Sequence, residues 1–328
     1  MSASRMWTVT EGDFPANGSS RQKLEFALKY AALAPAESNW QSWDFRVADN
    51  HLELVAKDDP ARDAIDPDGR ELIIGCGAAL MYLNLALKHF GCLGRVALFP
   101  DLGQPALVAR VHFGFCRERD THENLLFKAM TGSRASVSPR GETPVSETML
   151  AALRHAVAGE RGWLDFVQSE MSRQHVLKIT LANDRRWMNF DRSRSRPTSA
   201  AAAGHTPRWP LPLLAIGGRD IDSWNVAVAP VHQPSVPAVT LAVVKTKTDD
   251  KRGWLEAGQT MARTVLQAQA LGLSWAFFNP VRRRIAREAL RLGVGHKGFA
   301  QVILRFGSLT AGEMLRFTAP PTAAATFR

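Results

Sequence analysis

Cysteine is scarce in this chain. Its 328 residues include three, Cys76, Cys92 and Cys116, and no CxxC pair. That argues against a disulfide framework or a zinc-cysteine site and fits a reducing cytoplasm. The first residues, "MSASRMWTVTEGDFPANGSS", lack the basic-then-apolar pattern of a secretory leader. The longest apolar run, "LIIGCGAALMYLNLAL", covers 72–87, is interrupted by glycines, and is too short for a membrane span, so no membrane partner is expected. GxSxG, HExxH and GxxxxGK[ST] are all missing. The nine histidines are scattered with no metal-ligand spacing beside carboxylates; His112 and His155 read as packed or surface groups. "GVGHKG" (293–298) matches GxGxxG, but a helix precedes it and a strand follows. The dinucleotide fingerprint needs the reverse order, so this is a helix end and a turn.

What is present suits a globular chain, with 45% hydrophobic and 22% charged residues. The net charge of +10 raises the question of nucleic acid. Its basic residues gather in "RRWMNFDRSRSR" (185–196) and "RRRIAREALR" (282–291), the second expected as a solvated helix face. No zinc finger, RNA-binding signature or helix-turn-helix accompanies them, so no nucleic-acid partner is expected.

Self-similarity is the strongest signal. "CGAALMYLNLALKHFG" (76–91) and "AGQTMARTVLQAQALG" (257–272) align at a separation of 181, matching Gly77 with Gly258, Leu85 with Leu266 and Gly91 with Gly272. Each reads as a helix of about four turns closed by a C-cap glycine, then a short strand, "RVALFPD" or "SWAFFNP". "ARVHFG" (109–114) likewise matches "ILRFG" (303–307), at a separation larger by 12 that the helix "RRRIAREALRLG" accounts for. Towards the front, "LKYAALA" (28–34) echoes "LRHAVAG" (153–159), and "NHLELVA" (50–56) echoes "QHVLKIT" (174–180). Two α+β units follow: 21–116 and 127–328, after a tail of 1–20 and joined by a linker at 117–126. Each has the order helix, loop, strand, helix, strand, strand. Two like units in one chain can pack about a pseudo-two-fold axis as a symmetric dimer does, with the apolar helix 72–90 buried between them. A monomer built as an internal pseudo-dimer is the expectation.

Three polar stretches interrupt this plan. "LAPAESNWQSWDF" (33–45) sets carboxamides, Asn39 and Gln41, among Trp40, Trp43 and Phe45. An amide offers donor and acceptor together, and the rings offer flat apolar area, so the loop suits a flat ligand with a polar edge. "TGSRASVSPRGETPVSETML" (131–150) places Arg134, Ser136 and Ser138 at alternate positions, a set able to hold a phosphate, ahead of a helix starting near Val145. The insertion 183–212, with four consecutive alanines, reads as a lid or a disordered segment, and its Arg and aromatic flanks favour a lid.

Together these pieces resemble the nitroreductase-like FMN flavoproteins, specifically the tandem-repeat Acg type, over about 21–320. That family's P-S-x-x-N-x-Q-P-W loop is similar to Pro35 through Trp43, with Ala36 and Ser42 departing. Its R-x-[ST]-x-R strand is similar to Arg134 through Ser138, with the last basic position lost or shifted to Arg140. "DPDGRELIIGCGAAL" (66–80) and "WLEAGQTMARTVLQAQALGL" (254–273) look like its long helices.

The resemblance implies an α+β nitroreductase-like fold and FMN held between the units. Pro35, Ala36, Glu37, Asn39 and Gln41 would face the flavin, Arg134 and Ser136 the phosphate, with Arg316, or second Arg305, assisting; Phe277 would pack near the ring. It implies an NAD(P)H-dependent oxidoreductase of a small-molecule substrate, with hydride passing through flavin N5 and no catalytic side chain required. The alternative is a protein that binds and sequesters flavin beneath its lid without turnover. The second unit has "AGERGWLDF" (158–166) at the loop position, without Asn or Gln, so one flavin per chain is expected.

Overall fold

Two helices of equal length organise the chain. In the computed structural model, which describes residues 9–35, 43–57, 66, 68–115, 120–131, 145–176, 178–179, 240–277, 284–295 and 297–308, they are α2 (Arg70–His89) and α5 (Lys251–Ala270). Their first and last residues stand 181 apart, the separation read from the sequence. Each runs 20 residues, longer than four turns, because it begins with polar residues (Arg70 and Glu71, Lys251 and Arg252) that mask the apolar pattern. Gly91 and Gly272 follow them with φ of 68° and 70°, the left-handed conformation that glycine tolerates best.

Around these helices the chain folds twice in one topology. α1 (Ser20–Ala31), β1 (Trp43–Val47) and β2 (His51–Ala56) precede α2; β3 (Leu93–Leu98) and β4 (Leu107–Phe113) follow it. After α3 (Thr121–Ala129) come α4 (Glu147–Ala156), β5 (Trp163–Phe166) and β6 (Thr240–Thr246). Then, beyond α5, lie β7 (Leu273–Phe277), α6 (Arg284–Gly293) and β8 (Phe299–Ser308). The two four-stranded antiparallel sheets have orders β1-β2-β4-β3 and β5-β6-β8-β7, so matching strands hold matching places. The architecture is α+β.

Local sequence explains the elements. Ser19 opens α1 with a capping box, its hydroxyl accepting from Gln22 N and its N–H donating to Gln22 Oε1. "HLELVA" alternates, and β2 buries one face; "TLAVVKT" is nearly continuous, and β6 buries both. The second face of β6, carrying Leu241 and Val243, joins a smaller cluster of Val167, Val176, Leu290 and Ile303, to which α6 contributes.

Several expectations need correction. Of the expected strand 174–180, the described residues 174–176 and 178–179 are helical, and β6 takes the place that matches β2. Each half therefore has two strands, not one, before its long helix. The physical reason is that "HVLKI" supports either period over so short a span. The expected linker, 117–126, is in part helical, since α3 starts at Thr121. The lid segment 183–212 lies outside the described residues. The basic helix α6 is not simply solvated: Arg287 is buried against Asp249.

The helices α2 and α5 cross at Gly77 and Gly258. A Cβ at 77 would run into the carbonyl oxygen of Leu255 and lie 3.0 Å from Gly258 Cα. A Cβ at 258 would meet the carbonyl oxygen of Ile74 and lie 2.9 Å from Gly77 Cα. The contacts are reciprocal, as an isologous interface requires. α2 is long and apolar enough to cross a membrane, but 78% of that window is buried inside the fold. Gly77→Ala and Gly258→Ala should each lower stability by about 1–3 kcal/mol through overpacking. The double variant should lose less than the sum, since one added methyl already separates the helices. Urea unfolding of the three variants measures this, and strict additivity would count against a shared contact.

Candidate functional site

Buried polar groups concentrate where the start of α2 meets β8 and the start of α5. Arg70 is 1% exposed. Its Nε and Nη2 donate to Gln301 Oε1 at 3.1 and 3.0 Å, Nη2 also to the Gln301 carbonyl, and Nη1 to Glu71. Gln301 Nε2 donates to Thr246 Oγ1 at 3.0 Å and to Asp249 Oδ1 at 3.2 Å. Asp249 also accepts from Trp254 Nε1 at 2.8 Å and from Arg287 Nε and Nη2 at 3.1 and 3.0 Å. One hydrogen-bonded chain thus runs from α2 through β8 to α5 and α6.

Burial raises the Asp249 pKa, but the Trp254 indole, the Arg287 charge and the Gln301 amide outweigh it and hold the carboxyl below its ordinary range. Asp66 is the opposite case: burial and then Glu71 push its carboxyl up, although it accepts from Leu72 N at 3.1 Å in the first turn of α2. These groups satisfy one another, so the network is a clamp between the halves rather than a reacting centre.

The other concentration is at the end of β7. Leu273, Trp275 and Phe277 alternate onto the face packed in the main core, and the Trp275 and Phe277 rings meet edge to face at 5.5 Å. Trp275 is 3% exposed, and its Nε1 has no hydrogen-bond partner among the described residues. Arg305, paired across the sheet with Leu241 and Ala276, lies on the opposite face, where Leu241 and Ile303 form the smaller cluster. Burial brings its pKa down to about 10. The pleat therefore places Arg305 and Phe277 on opposite faces of the sheet.

The described residues include Pro35, half-buried just past α1, along with Phe277 and Arg305. Ala36, Glu37, Asn39, Gln41, Arg134, Ser136 and Arg316 lie outside them. The chain is described again from Trp43, which packs on α2, its ring 2.9 Å from where a Cβ on Gly75 would sit.

No protein-family model matches the chain. A Mycobacterium tuberculosis H37Rv protein, provisionally named the NAD(P)H nitroreductase Rv3131, is 27% identical over 302 residues, spanning 87% of this chain and 85% of its own length. Another from the same strain, provisionally named the NAD(P)H nitroreductase acg, is 22% identical over 301 residues, spanning 87% and 88%. The chain is similar to nitroreductase-like proteins over most of its length. A nitroreductase with bound FMN from Bacteroides fragilis aligns with this structure at a TM-score of 0.37 and 13% identity, covering 64% of this chain and 100% of that one. So loose a superposition locates no residue.

Sequence reasoning missed Trp275 and the Arg70–Gln301–Asp249 chain. A faint signal existed: Gln301 interrupts the apolar strand "FAQVILRF", and Arg70 heads an apolar helix. The depressed Asp249 pKa sets a sign: its stabilisation is present above the unfolded carboxylate value and is lost as pH falls through the lower folded one. Asp249→Asn should therefore lose about 3 kcal/mol at neutral pH. Its gap from the wild type should close below about pH 4. Thermal unfolding across pH checks this; a gap unchanged down to pH 3 would show that the carboxylate charge is not what matters.

Proposed function

We propose that the chain binds one FMN between its halves and acts as an FMN-dependent NAD(P)H oxidoreductase of a small-molecule substrate. The observation carrying this reading is the likeness, across 87% of the chain, to relatives provisionally named NAD(P)H nitroreductases. Residues of the structure fit a flavin. Phe277 offers a half-buried ring at the end of β7, and beside it the Trp275 indole is a buried donor with no acceptor among the described residues. A flat heteroaromatic ring with acceptor atoms along its edge suits both.

In this reading Pro35, Ala36, Glu37, Asn39 and Gln41 bind the ring system, and Arg134, Ser136 and Arg316 hold the phosphate. Arg305, the second candidate to assist with the phosphate, lies on the other face of the sheet from Phe277. When bound, FMN supplies the two-electron chemistry; the chain orients it, shields it and neutralises its phosphate. The units 21–116 and 127–328 act together as one cytoplasmic monomer.

The arrangement of the halves supports a single flavin. Eleven residues, 32–42, lead from α1 to β1, while the matching connection from α4 to β5 spans only 157–162. That short turn is filled by Glu160, 3.7 Å from Arg263, which also lies 3.8 Å from Glu123 and donates to the Ala156 carbonyl. Purified protein should be yellow, with a flavin-to-protein ratio near one. Arg134→Ala should lose most of the colour, whereas Arg283→Ala should keep it; equal colour in both would refute the phosphate assignment.

The second reading, flavin binding without turnover, rests on the long insertion 183–212, which in this reading occupies the substrate space. Steady-state NADPH oxidation by flavin-replete protein separates the two. The enzyme reading expects oxidation stimulated by quinone or nitroaromatic acceptors, and no stimulation would sink it for those acceptors.

A further inference from the structure

We infer that Trp275 is a flavin-anchoring residue, its indole N–H donating to an acceptor atom of the bound ring system. This rests on the FMN reading above and adds a contact to it. The group in question is an unmet hydrogen-bond donor. Indole Nε1 can only donate, and buried donors are almost always paired because leaving one unmade carries the full desolvation cost. Trp275 is 3% exposed, yet its Nε1 has no acceptor among the described residues.

Other buried polar atoms also lack a partner among those residues, but they do not point the same way. Tyr30 Oη lies within an aromatic cluster of Phe26, Phe90 and Phe127 at the end of α1. The side chains of Asn84 and Gln269 belong to residues that remain partly exposed on α2 and α5. Trp275 alone among these four is a pure donor on the strand face that also carries Phe277.

That position gives the donor a direction. Trp275 stands opposite Phe306 in the register of β7 and β8, and Phe277 opposite Leu304, all four on the face turned to the main core. The interplanar angle of 88° between the Trp275 and Phe277 rings makes a corner of two perpendicular aromatic walls at the end of an edge strand. A flat ligand resting along one wall presents its edge to the other. A tryptophan there, rather than phenylalanine, is costly for the empty protein unless something accepts the N–H.

This predicts opposite effects on the empty and loaded protein. In Trp275→Phe, flavin-stripped protein should unfold at an unchanged or higher temperature, because an unsatisfied donor has been removed. The same variant should bind FMN roughly five- to tenfold more weakly, the loss of one net hydrogen bond. A purely structural tryptophan would instead lower the unfolding temperature with and without FMN.

The experiment titrates FMN into stripped full-length protein, following flavin fluorescence, for the wild type and Trp275→Phe. In parallel, the assigned Trp275 Nε1–H resonance of 15N-labelled wild type is followed as FMN is added. A downfield shift of that resonance together with weakened binding by the variant supports the inference. Equal affinities, or a resonance that FMN leaves in place, would overturn it while leaving the FMN reading intact. Should the variant fail to fold, the wild-type resonance decides. If the wild type itself binds no FMN, the FMN reading falls and this inference falls with it.

Discussion

Two glycine residues set how close the halves of this protein come. At Gly77 and Gly258 the backbones of α2 and α5 touch, each glycine lying against the carbonyl three residues before the other. No side chain fits there, so the crossing point is fixed by backbone contact rather than by interdigitated side chains. Each sheet packs on its own long helix, and the main core joins residues of both halves into one cluster. Moving the crossing would shift everything that spans the halves, including the Arg70–Gln301 hydrogen bonds.

The same contact makes the halves' differences meaningful. The first half has the longer connection after α1, and β7 of the second half carries the corner of Trp275 and Phe277. The matching connection in the second half is a short turn whose Glu160 faces Arg263, and Glu123 of α3 reaches both Arg263 and Lys88. Burial holds the Glu160 carboxyl above its usual range, as expected of a group enclosed by packing. Ion pairs occupy the short turn of the second half, while the aromatic corner keeps a donor unmet among the described residues.

Much of the fold is legible because it repeats. The separation of 181 locates both long helices, and a glycine just past each apolar run marks the left-handed cap that both adopt. The front of the second half is not legible in the same way, because "QHVLKIT" is too short for its period to separate helix from strand. Of the site, residue type marks Phe277 and Arg305, but only the pleat of β8 and its neighbours shows that they face opposite ways. The amide-bearing stretch after Pro35 and the stretch around Arg134 are readable by their residue types, and their assignment is a matter of chemistry and family likeness.

By itself, the sequence determined the two-fold plan, the α+β class, the two long helices and the glycines matched between them. These are local or periodic properties, encoded by side-chain size and spacing along the chain. Only the tertiary structure decided that Gly77 touches Gly258, that Arg70 reaches across to Gln301 and Asp249, and that the Trp275 indole meets no acceptor among the described residues. Each depends on which atoms from distant parts of the chain come within hydrogen-bond or van der Waals reach. Separation along the sequence carries no measure of that distance.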